Sequence, residues 1–168
     1  FFCSDCYAVQ VVDIVDTDVM FKNYFYFSSA IASLKEHFVD YATEVVSRFI
    51  PEPSKATVVE IGCNDGVLLR PLADQNLRTV VGIDPATNIV ATINDARINT
   101  INKYFSETVA EEVVNKFGKA DMVVANNVYA HIPDICGVTR GIKQVLADDG
   151  VFIFEVHYLG KVLNGYQY

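Results

Sequence analysis

Two glycines, Gly62 and Gly66, follow an apolar run at Thr57–Ile61 and stand just before a stretch with helical periodicity. Glycine lets the backbone turn sharply and keeps a Cβ away from a ligand, and N–H groups at a helix start can donate to ligand oxygens. A dinucleotide-binding turn would carry a further glycine where this chain has Asn64. The neighbouring Asp65 is unfavourable beside a pyrophosphate but favourable beside a ligand with an ammonium group and ribose hydroxyls. The turn therefore favours S-adenosylmethionine (SAM), which has an amino-acid end and no phosphate, and it predicts methyl-transfer chemistry.

Acidic residues stand at the ends of two predicted strands close to this turn. Asp84 lies 22 residues after Gly62 (84 − 62) and directly before Pro85. This is close to the spacing of about 20 residues that is typical of a carboxylate binding ribose hydroxyls. The alternative for Asp84 is a structural role, because Asp-Pro commonly starts a turn. Glu60 comes shortly before Gly62, where we expect it to order the loop or to accept a hydrogen bond from the methionine ammonium.

The elements that must position these residues are short apolar runs alternating with helical stretches from residue 57 onward. This alternation predicts right-handed βαβ units and a parallel sheet covered by helices on both faces. The predicted fold class is therefore α/β. With the SAM-type glycine turn, we expect a Rossmann-like SAM-dependent methyltransferase sandwich, whose usual strand order is 3-2-1-4-5. Strands are predicted at 57–61, 79–83, 98–101, 121–125 and 151–156, and helices at 67–74, 86–95, 106–116 and 133–146.

Ahead of these units the pattern is different. Residues 1–27 show no helical period, and the segments 10–12 and 25–27 are predicted to be extended. A helix capped by Ser28 or Ser29 is then predicted to run to residue 49. Methyltransferases of this type normally finish with an antiparallel hairpin beside strand five, and no residues remain here for one. We therefore expect an uncovered edge on strand five, which self-association would relieve.

The acidic composition of the chain argues against some classes of binding partner. The chain has 168 residues, a formal net charge of −8, a sequence pI of about 4.7 and no run of Lys or Arg. Such a surface repels phosphate backbones, so no nucleic acid is expected as a partner. No apolar run approaches the ~20 residues that a membrane helix requires, and the first residues lack the basic head and apolar body of a signal peptide. These features predict no membrane contact and a cytoplasmic location.

The loop after the fourth predicted strand adds polar residues to the same region. It begins with Asn126 and Asn127 and continues through His131 to Asp134. Ligands of open α/β sheets bind at the carboxyl ends of the strands, so this loop should face the same crevice as the glycine turn. An isolated histidine is more often a satisfied loop residue, but this position at the mouth of the crevice favours a functional role for His131.

Three further residues have two possible interpretations each, and a fourth has one. Tyr104 and Phe105 follow the third strand, where they could wall an adenine or belong to the core. Glu155 lies inside the fifth strand, as either a buried carboxylate with a partner or the edge of an active site. His37 falls on the polar side of the first long helix and is expected to be solvated.

Several motifs together make the chain resemble the sugar-nucleotide C-methyltransferases of deoxysugar pathways. The resemblance extends over essentially the whole chain. It is carried by residues 60–66 at the glycine turn, the aromatic run 24–29, the loop 126–134, Gly141-Ile142-Lys143, Asp149-Gly150-Val151, and the pair Cys3 and Cys6 in a CxxC spacing.

This resemblance implies an N-terminal four-cysteine zinc domain, a SAM-binding middle and a C-terminal α/β domain. It also implies methylation at C3 of a thymidine-diphosphate 4-keto sugar. The 4-ketone acidifies the C3 proton, a base removes that proton, and the enolate attacks the SAM methyl group, leaving S-adenosylhomocysteine (SAH). By the same resemblance Tyr26 and His131 line the sugar and methyl-transfer site, and Cys3 and Cys6 form the second half of the zinc cluster. The cofactor cleft is assigned to Glu60, Gly62, Asn64, Asp65, Gly66 and Asp84, with Pro85, Asn126 and Asn127 beside them.

The chain also departs from the family pattern. The first cysteine pair is missing, and Zn²⁺ takes four ligands, so zinc is expected only in a full-length protein. The Tyr-x-Glu-His run that supplies the family's base would begin just after Tyr168. We therefore interpret residues 1–27 as the remnant of a zinc-binding region with its linker, and residues 28–168 as a SAM-binding domain truncated at its C-terminus.

Three rival functions stay open at this point. The first is a generic small-molecule methyltransferase acting on oxygen or nitrogen. The second is a non-catalytic module that binds SAM or another nucleoside. A nicotinamide dehydrogenase is the least favoured, because Asn64 and Asp65 replace the residues that would accommodate a pyrophosphate.

Overall fold

The computed structural model describes residues 1–9 and 15–165 of the chain. The strands are β1 (Thr57–Ile61), β2 (Thr79–Ile83), β3 (Ile98–Ile101), β4 (Ala120–Asn126) and β5 (Leu146–Glu155). They form one sheet in the order β3-β2-β1-β4-β5, and every pair of neighbours is parallel. The predicted fold class and strand order are therefore confirmed.

Helices connect the strands on both sides of the sheet. They are α1 (Thr17–Phe21), α2 (Ala32–Phe49), α3 (Leu69–Ala73), α4 (Thr87–Val90), α5 (Glu107–Phe117), α6 (Ile135–Val145) and α7 (Leu159–Asn164). Single turns of 3-10 helix occupy Ser28–Ala30, Pro53–Lys55 and Tyr129–His131. Of the described helices, none is both long enough and apolar enough to cross a membrane.

Alternate residues of the strands supply two hydrophobic cores, as expected of a parallel sheet with both faces covered. On one face Val58 and Met122 are completely buried among residues of α2 and α3. On the other face Val59 and Val123 are completely buried among residues of α5 and α6. This double burial fixes the sheet, and the carboxyl ends of its strands are therefore a rigid platform for the connecting loops.

β5 begins earlier than the sequence pattern indicates. Leu146 pairs with Ala120, the ladder is then interrupted, and pairing resumes between Val151 and Met122. Residues 148–150, which lie between the predicted helix 133–146 and the predicted strand 151–156, thus form an irregularity within β5. β5 is the last strand in the sheet order, and no strand in the described residues pairs with its outer edge.

Two helix predictions need correction. The long helix begins at Ala32 rather than Ser28, and no side chain caps it; the backbone N–H groups of Ser28 and Ser29 bind side chains of the glycine turn instead. The helix predicted at 86–95 spans only Thr87–Val90. Thr92 Oγ1 donates to the Ile89 carbonyl oxygen at 2.7 Å, and a side-chain bond of this kind competes with continued helix.

The segment before α2 also differs from its prediction. α1 forms where no helix was expected, because the Asp16 carboxylate accepts hydrogen bonds from the N–H groups of Asp18 and Val19. Residues 25–27, predicted to be extended, belong to no strand. The segment 10–12, also predicted to be extended, lies outside the described residues.

Candidate active site

A cavity of about 730 Å³ opens at the carboxyl ends of β1, β2 and β4. Its wall includes the start of α5 and α6 and part of the segment that precedes α2. Eight of the predicted site residues line it: Tyr26, Gly62, Asn64, Asp84, Pro85, Asn126, Asn127 and His131. Glu60, Asp65 and Gly66 are not part of the wall, and neither are Cys3 and Cys6.

The glycine turn is shaped by a close approach to the loop after β4. Gly62 has φ +74°, and a Cβ added there would lie 2.2 Å from Cγ2 of Val128. Only glycine therefore fits at this position. The N–H of Gly62 donates to the Ile83 carbonyl oxygen at 2.7 Å, which holds the turn against the end of β2.

Asp84 fastens the same turn from β2. Its Oδ2 accepts a hydrogen bond from the N–H of Asn64 at 2.9 Å, and its Oδ1 accepts one from the N–H of Ala86 at 2.8 Å. Burial raises the pKa of this carboxyl group, while the two N–H donors oppose the rise. The structural role considered for Asp84 is thus present as a turn contact through Ala86, although no described side chain caps the helix α4 that follows. Because each carboxylate oxygen has a second lone pair, the same side chain still has acceptor capacity toward the cavity.

The side chains of Asn64 and Asp65 hold the segment that precedes α2. Asn64 Nδ2 donates to the carbonyl oxygen of Tyr26 at 3.0 Å, and Asn64 Oδ1 accepts from the N–H of Ser28 at 3.0 Å. Asp65 Oδ2 accepts from the N–H of Ser29 at 3.2 Å. These bonds place the aromatic run over the turn, and through them Tyr26 becomes part of the cavity wall.

Asn88 completes this attachment and was not singled out from the sequence. Its Oδ1 accepts from the N–H of Tyr24 at 3.1 Å, and its Nδ2 donates to the Tyr24 carbonyl oxygen at 2.7 Å. Tyr104, which lines the cavity, donates its hydroxyl to the Thr17 carbonyl oxygen at 2.9 Å. Such contacts join residues more than sixty positions apart, so no local sequence pattern signals them.

A cluster of carboxyl groups lies behind the turn. Glu60 is 4% exposed, and burial, followed by the charges of Asp84 and Asp65, raises its pKa well above the usual value. Glu60 Oε2, Asp65 Oδ1 and Asn126 Nδ2 are the buried side-chain N and O atoms without a hydrogen-bond partner in the described parts of the chain. An unsatisfied buried polar atom costs free energy, so these atoms indicate a place where a ligand or water supplies the missing partner.

The end of β4 presents two asparagines to the cavity. Tyr41, from α2, donates its hydroxyl to Asn126 Oδ1 at 3.3 Å. Asn127 has φ +55°, and its Nδ2 donates to Glu155 Oε1 at 2.7 Å. Glu155 is thus a partly exposed carboxylate with a partner, at the edge of the site. His37, expected to be solvated, is half-exposed and lies 3.8 Å from Glu155.

His131 reaches the cavity from the 3-10 turn that follows Asn127. Its backbone N–H donates to the Val128 carbonyl oxygen at 2.9 Å, and its side chain is exposed. Tyr26 and His131 thus line one cavity although 105 residues separate them in the sequence (131 − 26). Both are placed beside the glycine turn by backbone contacts of their own loops.

Cys3 and Cys6 lie together in a tight turn in which the N–H of Tyr7 donates to the Cys3 carbonyl oxygen at 2.9 Å. Both thiols are free, and the N–H of Cys6 lowers the pKa of Cys3 by donating to its sulfur. Within residues 1–9 and 15–165, no group of three or more His, Cys, Asp or Glu side chains could hold a metal ion. Zinc binding by this chain is therefore not supported.

Comparison with known proteins agrees with this geometry. A family model described as a methyltransferase domain matches residues 34–163. The C-methyltransferase NovU of Streptomyces niveus is 35% identical over 166 residues, which are 99% of this chain and 39% of that protein. A ubiquinone biosynthesis O-methyltransferase of Methylobacterium sp. (strain 4-46) is 38% identical over 105 residues, 61% of this chain and 41% of that protein. The chain therefore spans about two fifths of the length of these relatives.

Solved structures with little sequence similarity share the fold. The plantazolicin methyltransferase BpumL, crystallised with a triazolic desmethylPZN analog and SAH, matches with a TM-score of 0.63 at 12% identity, covering 83% of this chain and 54% of that chain. The PH0226 protein of Pyrococcus horikoshii OT3 matches with a TM-score of 0.62 at 16% identity, covering 83% of this chain and 62% of that chain. With the family match over residues 34–163, the chain belongs to the methyltransferase domain family of SAM-dependent enzymes.

Proposed function

We propose that the cavity binds SAM and that the protein methylates C3 of a nucleotide-linked 4-keto-deoxysugar. The observation that carries the cofactor proposal is the charge around the cavity. Lys103 is the one Lys or Arg among the described residues that line it, and its Nζ is bound to Glu112 at 2.7 Å. Asp84 lies in the wall and two further carboxyl groups lie behind the glycine turn. SAM brings a sulfonium and an ammonium to such a site, whereas a dinucleotide would bring two phosphates that Lys103 alone cannot balance.

Each part of the cofactor has a proposed partner. The free lone pairs of Asp84 accept hydrogen bonds from the ribose hydroxyls, and Pro85 packs beside the nucleoside. The asparagines 126 and 127 bind the methionine end, where Asn126 Nδ2 has no hydrogen-bond partner among the described residues. Gly62 offers its backbone to the ligand at the cavity wall, while Val128 fills the space that a Cβ would take, and Gly66 forms the other end of the turn. Glu60 and Asp65 act from behind the turn as negative charges that favour the ammonium.

The sugar is the proposed methyl acceptor. A base removes the C3 proton that the 4-ketone acidifies, the resulting enolate forms a C–C bond with the SAM methyl group, and the C–S bond breaks to leave neutral SAH. Tyr26 and His131 are proposed to contact the sugar at this step. Because the described residues of the cavity wall offer no Lys or Arg that is free of a carboxylate partner, we place the sugar's diphosphate outside it. The similarity to NovU supports a carbon acceptor, since it takes in nearly the whole chain, the Tyr26 segment included.

A second candidate is methyl transfer to oxygen. Ubiquinone biosynthesis O-methyltransferases from several bacteria match 56–70% of this chain. These matches support the shared cofactor domain, and the acceptor atom has to be determined by experiment.

Zinc is proposed only for a longer protein in which two further cysteines join Cys3 and Cys6. A cytoplasmic location is likewise a proposal.

We also propose that the uncovered edge of β5 pairs with a second copy of the chain. Phe154 on this strand is 50% exposed, and it lines a groove against Phe49 of α2 together with Phe152. An exposed apolar edge strand favours pairing with another strand. Small-angle scattering of the chain should show dimers that increase with concentration, and a monomeric profile at high concentration would count against the pairing.

The ribose role of Asp84 predicts a loss of affinity on substitution. Asp84→Ala should weaken SAH binding by about 1–3 kcal/mol, because ligand hydroxyls lose their acceptor, and calorimetry measures this directly. Asp95→Ala is the matched control: Asp95 also accepts from a backbone N–H two residues on, that of Arg97, but lies outside the cavity wall. Unchanged affinity in Asp84→Ala would refute the role.

Cofactor binding should also release a proton from Glu60. In the free chain, burial holds the pKa of Glu60 well above 4.5, and a nearby ammonium favours the ionised form. Between pH 4.5 and that raised pKa, SAH binding should therefore release protons, and affinity should increase with pH. Calorimetry in buffers of different ionisation heat measures the release, which should disappear in Glu60→Gln. Equal release from both proteins would contradict this account.

The acceptor can be identified from the product. The intact protein, supplied with methyl-labelled SAM and a thymidine-diphosphate 4-keto-6-deoxysugar, should give a product whose labelled methyl group is bonded to carbon in the NMR spectrum. His131→Asn should lower the turnover number about tenfold or more while SAH affinity stays unchanged. His157→Asn, which alters an exposed histidine outside the cavity wall, is the control. Label on oxygen of a phenol, with none on the sugar, would support the second candidate instead.

A further inference from the structure

Two side chains of α2 reach the carboxyl ends of β4 and β5 from outside the cavity. His37 and Tyr41 are four residues apart, so they lie on one face of the helix. The Tyr41 hydroxyl donates to Asn126 Oδ1 at 3.3 Å, and His37 Nε2 lies 3.8 Å from Glu155 Oε2. Neither residue belongs to the cavity wall, and neither does Glu155.

Tyr41 determines how the Asn126 amide is turned. A side-chain amide can present either its oxygen or its NH₂ group in a given direction, and a fixed donor on one side selects between them. With Oδ1 bound by Tyr41, Asn126 Nδ2 points away from Tyr41 and is buried with no partner in the described part of the chain. Burial raises the pKa of Tyr41 to about 12, so its hydroxyl remains a hydrogen-bond donor at neutral pH.

Glu155 plays the corresponding part for Asn127. The Asn127 backbone has φ +55°, a left-handed conformation that is uncommon for residues other than glycine and that asparagine tolerates better than most. Glu155 holds it twice, because its carbonyl oxygen accepts from the N–H of Asn127 at 2.8 Å and its Oε1 accepts from Nδ2 at 2.7 Å. His37 contributes little at 3.8 Å and half-exposed.

We propose that Tyr41 and Glu155 are positioning residues that set the orientation of the Asn126 and Asn127 side chains for binding the methionine end of the cofactor. This inference rests on the proposed function. It adds two residues that act through the asparagines without touching the ligand, and it assigns α2 a role in recognition. Although α2 precedes β1 and lies outside the cavity wall, it thus contributes to the site through the contact of Tyr41 with Asn126.

A purely structural role for Tyr41 would act through its ring. The ring is half-buried and packs edge-on against Phe38, with 6.1 Å between centroids. Tyr41→Phe keeps this packing and removes only the hydroxyl. Glu155→Gln keeps an acceptor oxygen for Asn127 Nδ2, whereas Glu155→Leu removes it. These pairs of changes separate positioning from packing.

The test measures the SAH dissociation constant of the chain by calorimetry, with thermal unfolding recorded for each variant. Tyr41→Phe and Glu155→Leu should each raise the dissociation constant about two- to tenfold, and Glu155→Gln should stay near the parent value. In an Asn126→Ala background Tyr41→Phe should cause no further loss, and in an Asn127→Ala background Glu155→Leu should cause none. Tyr158→Phe, at a tyrosine that is 73% exposed, is the matched control.

Several outcomes would overturn the inference. Unchanged SAH affinity in both Tyr41→Phe and Glu155→Leu would do so while leaving SAM binding itself intact. Equal losses with and without the asparagines would show that the two residues act by another route. If the parent chain fails to bind SAH at all, the proposed function falls and the inference with it.

Discussion

The close contact between Gly62 and Val128 is the constraint on which the site depends. It joins the loop after β1 to the loop after β4 at a distance that leaves no room for a Cβ. The two loops come from adjacent parallel strands, so the contact fixes the acidic turn on one side of the cavity and the asparagine pair on the other. A larger residue at position 62 would push the loop after β1 away from the loop after β4 and so separate the acidic turn from the asparagine pair.

Electrostatics then decides what such a cavity can hold. Burial, and after it the charges of Asp84 and Asp65, raise the pKa of Glu60, and the Lys103 ammonium is already bound to Glu112. Each buried carboxylate costs desolvation free energy unless a partner compensates its charge. A cationic ligand offsets that cost. The charge around the turn therefore favours SAM, and the methyltransferase family match points to the same cofactor.

The sheet and the turn could be predicted from sequence because their signals are local. The apolar run of five residues with a glycine directly after it indicates both β1 and its turn, and the alternation of strands and helices predicts a parallel sheet. The strand order was expected from the methyltransferase type that the turn indicates. The attachment of residues 24–29 could not be predicted in this way. Asn64 and Asn88 bind backbone atoms of that segment from 38 and 64 residues away, and an asparagine gives no sign in the sequence of which backbone it will meet. The role of Tyr41 could not be predicted for a related reason. Its ring fits the apolar face of α2, and only the folded structure shows that its hydroxyl contacts Asn126.

Titration of the chain with SAH, and separately with NAD, tests most directly whether SAM is the ligand of this cavity. We expect SAH to bind with a measurable heat and to saturate one site per chain, and NAD to give no binding heat at the same concentrations. Binding of NAD without binding of SAH would contradict the assignment of the glycine turn, and with it the function proposed for the protein.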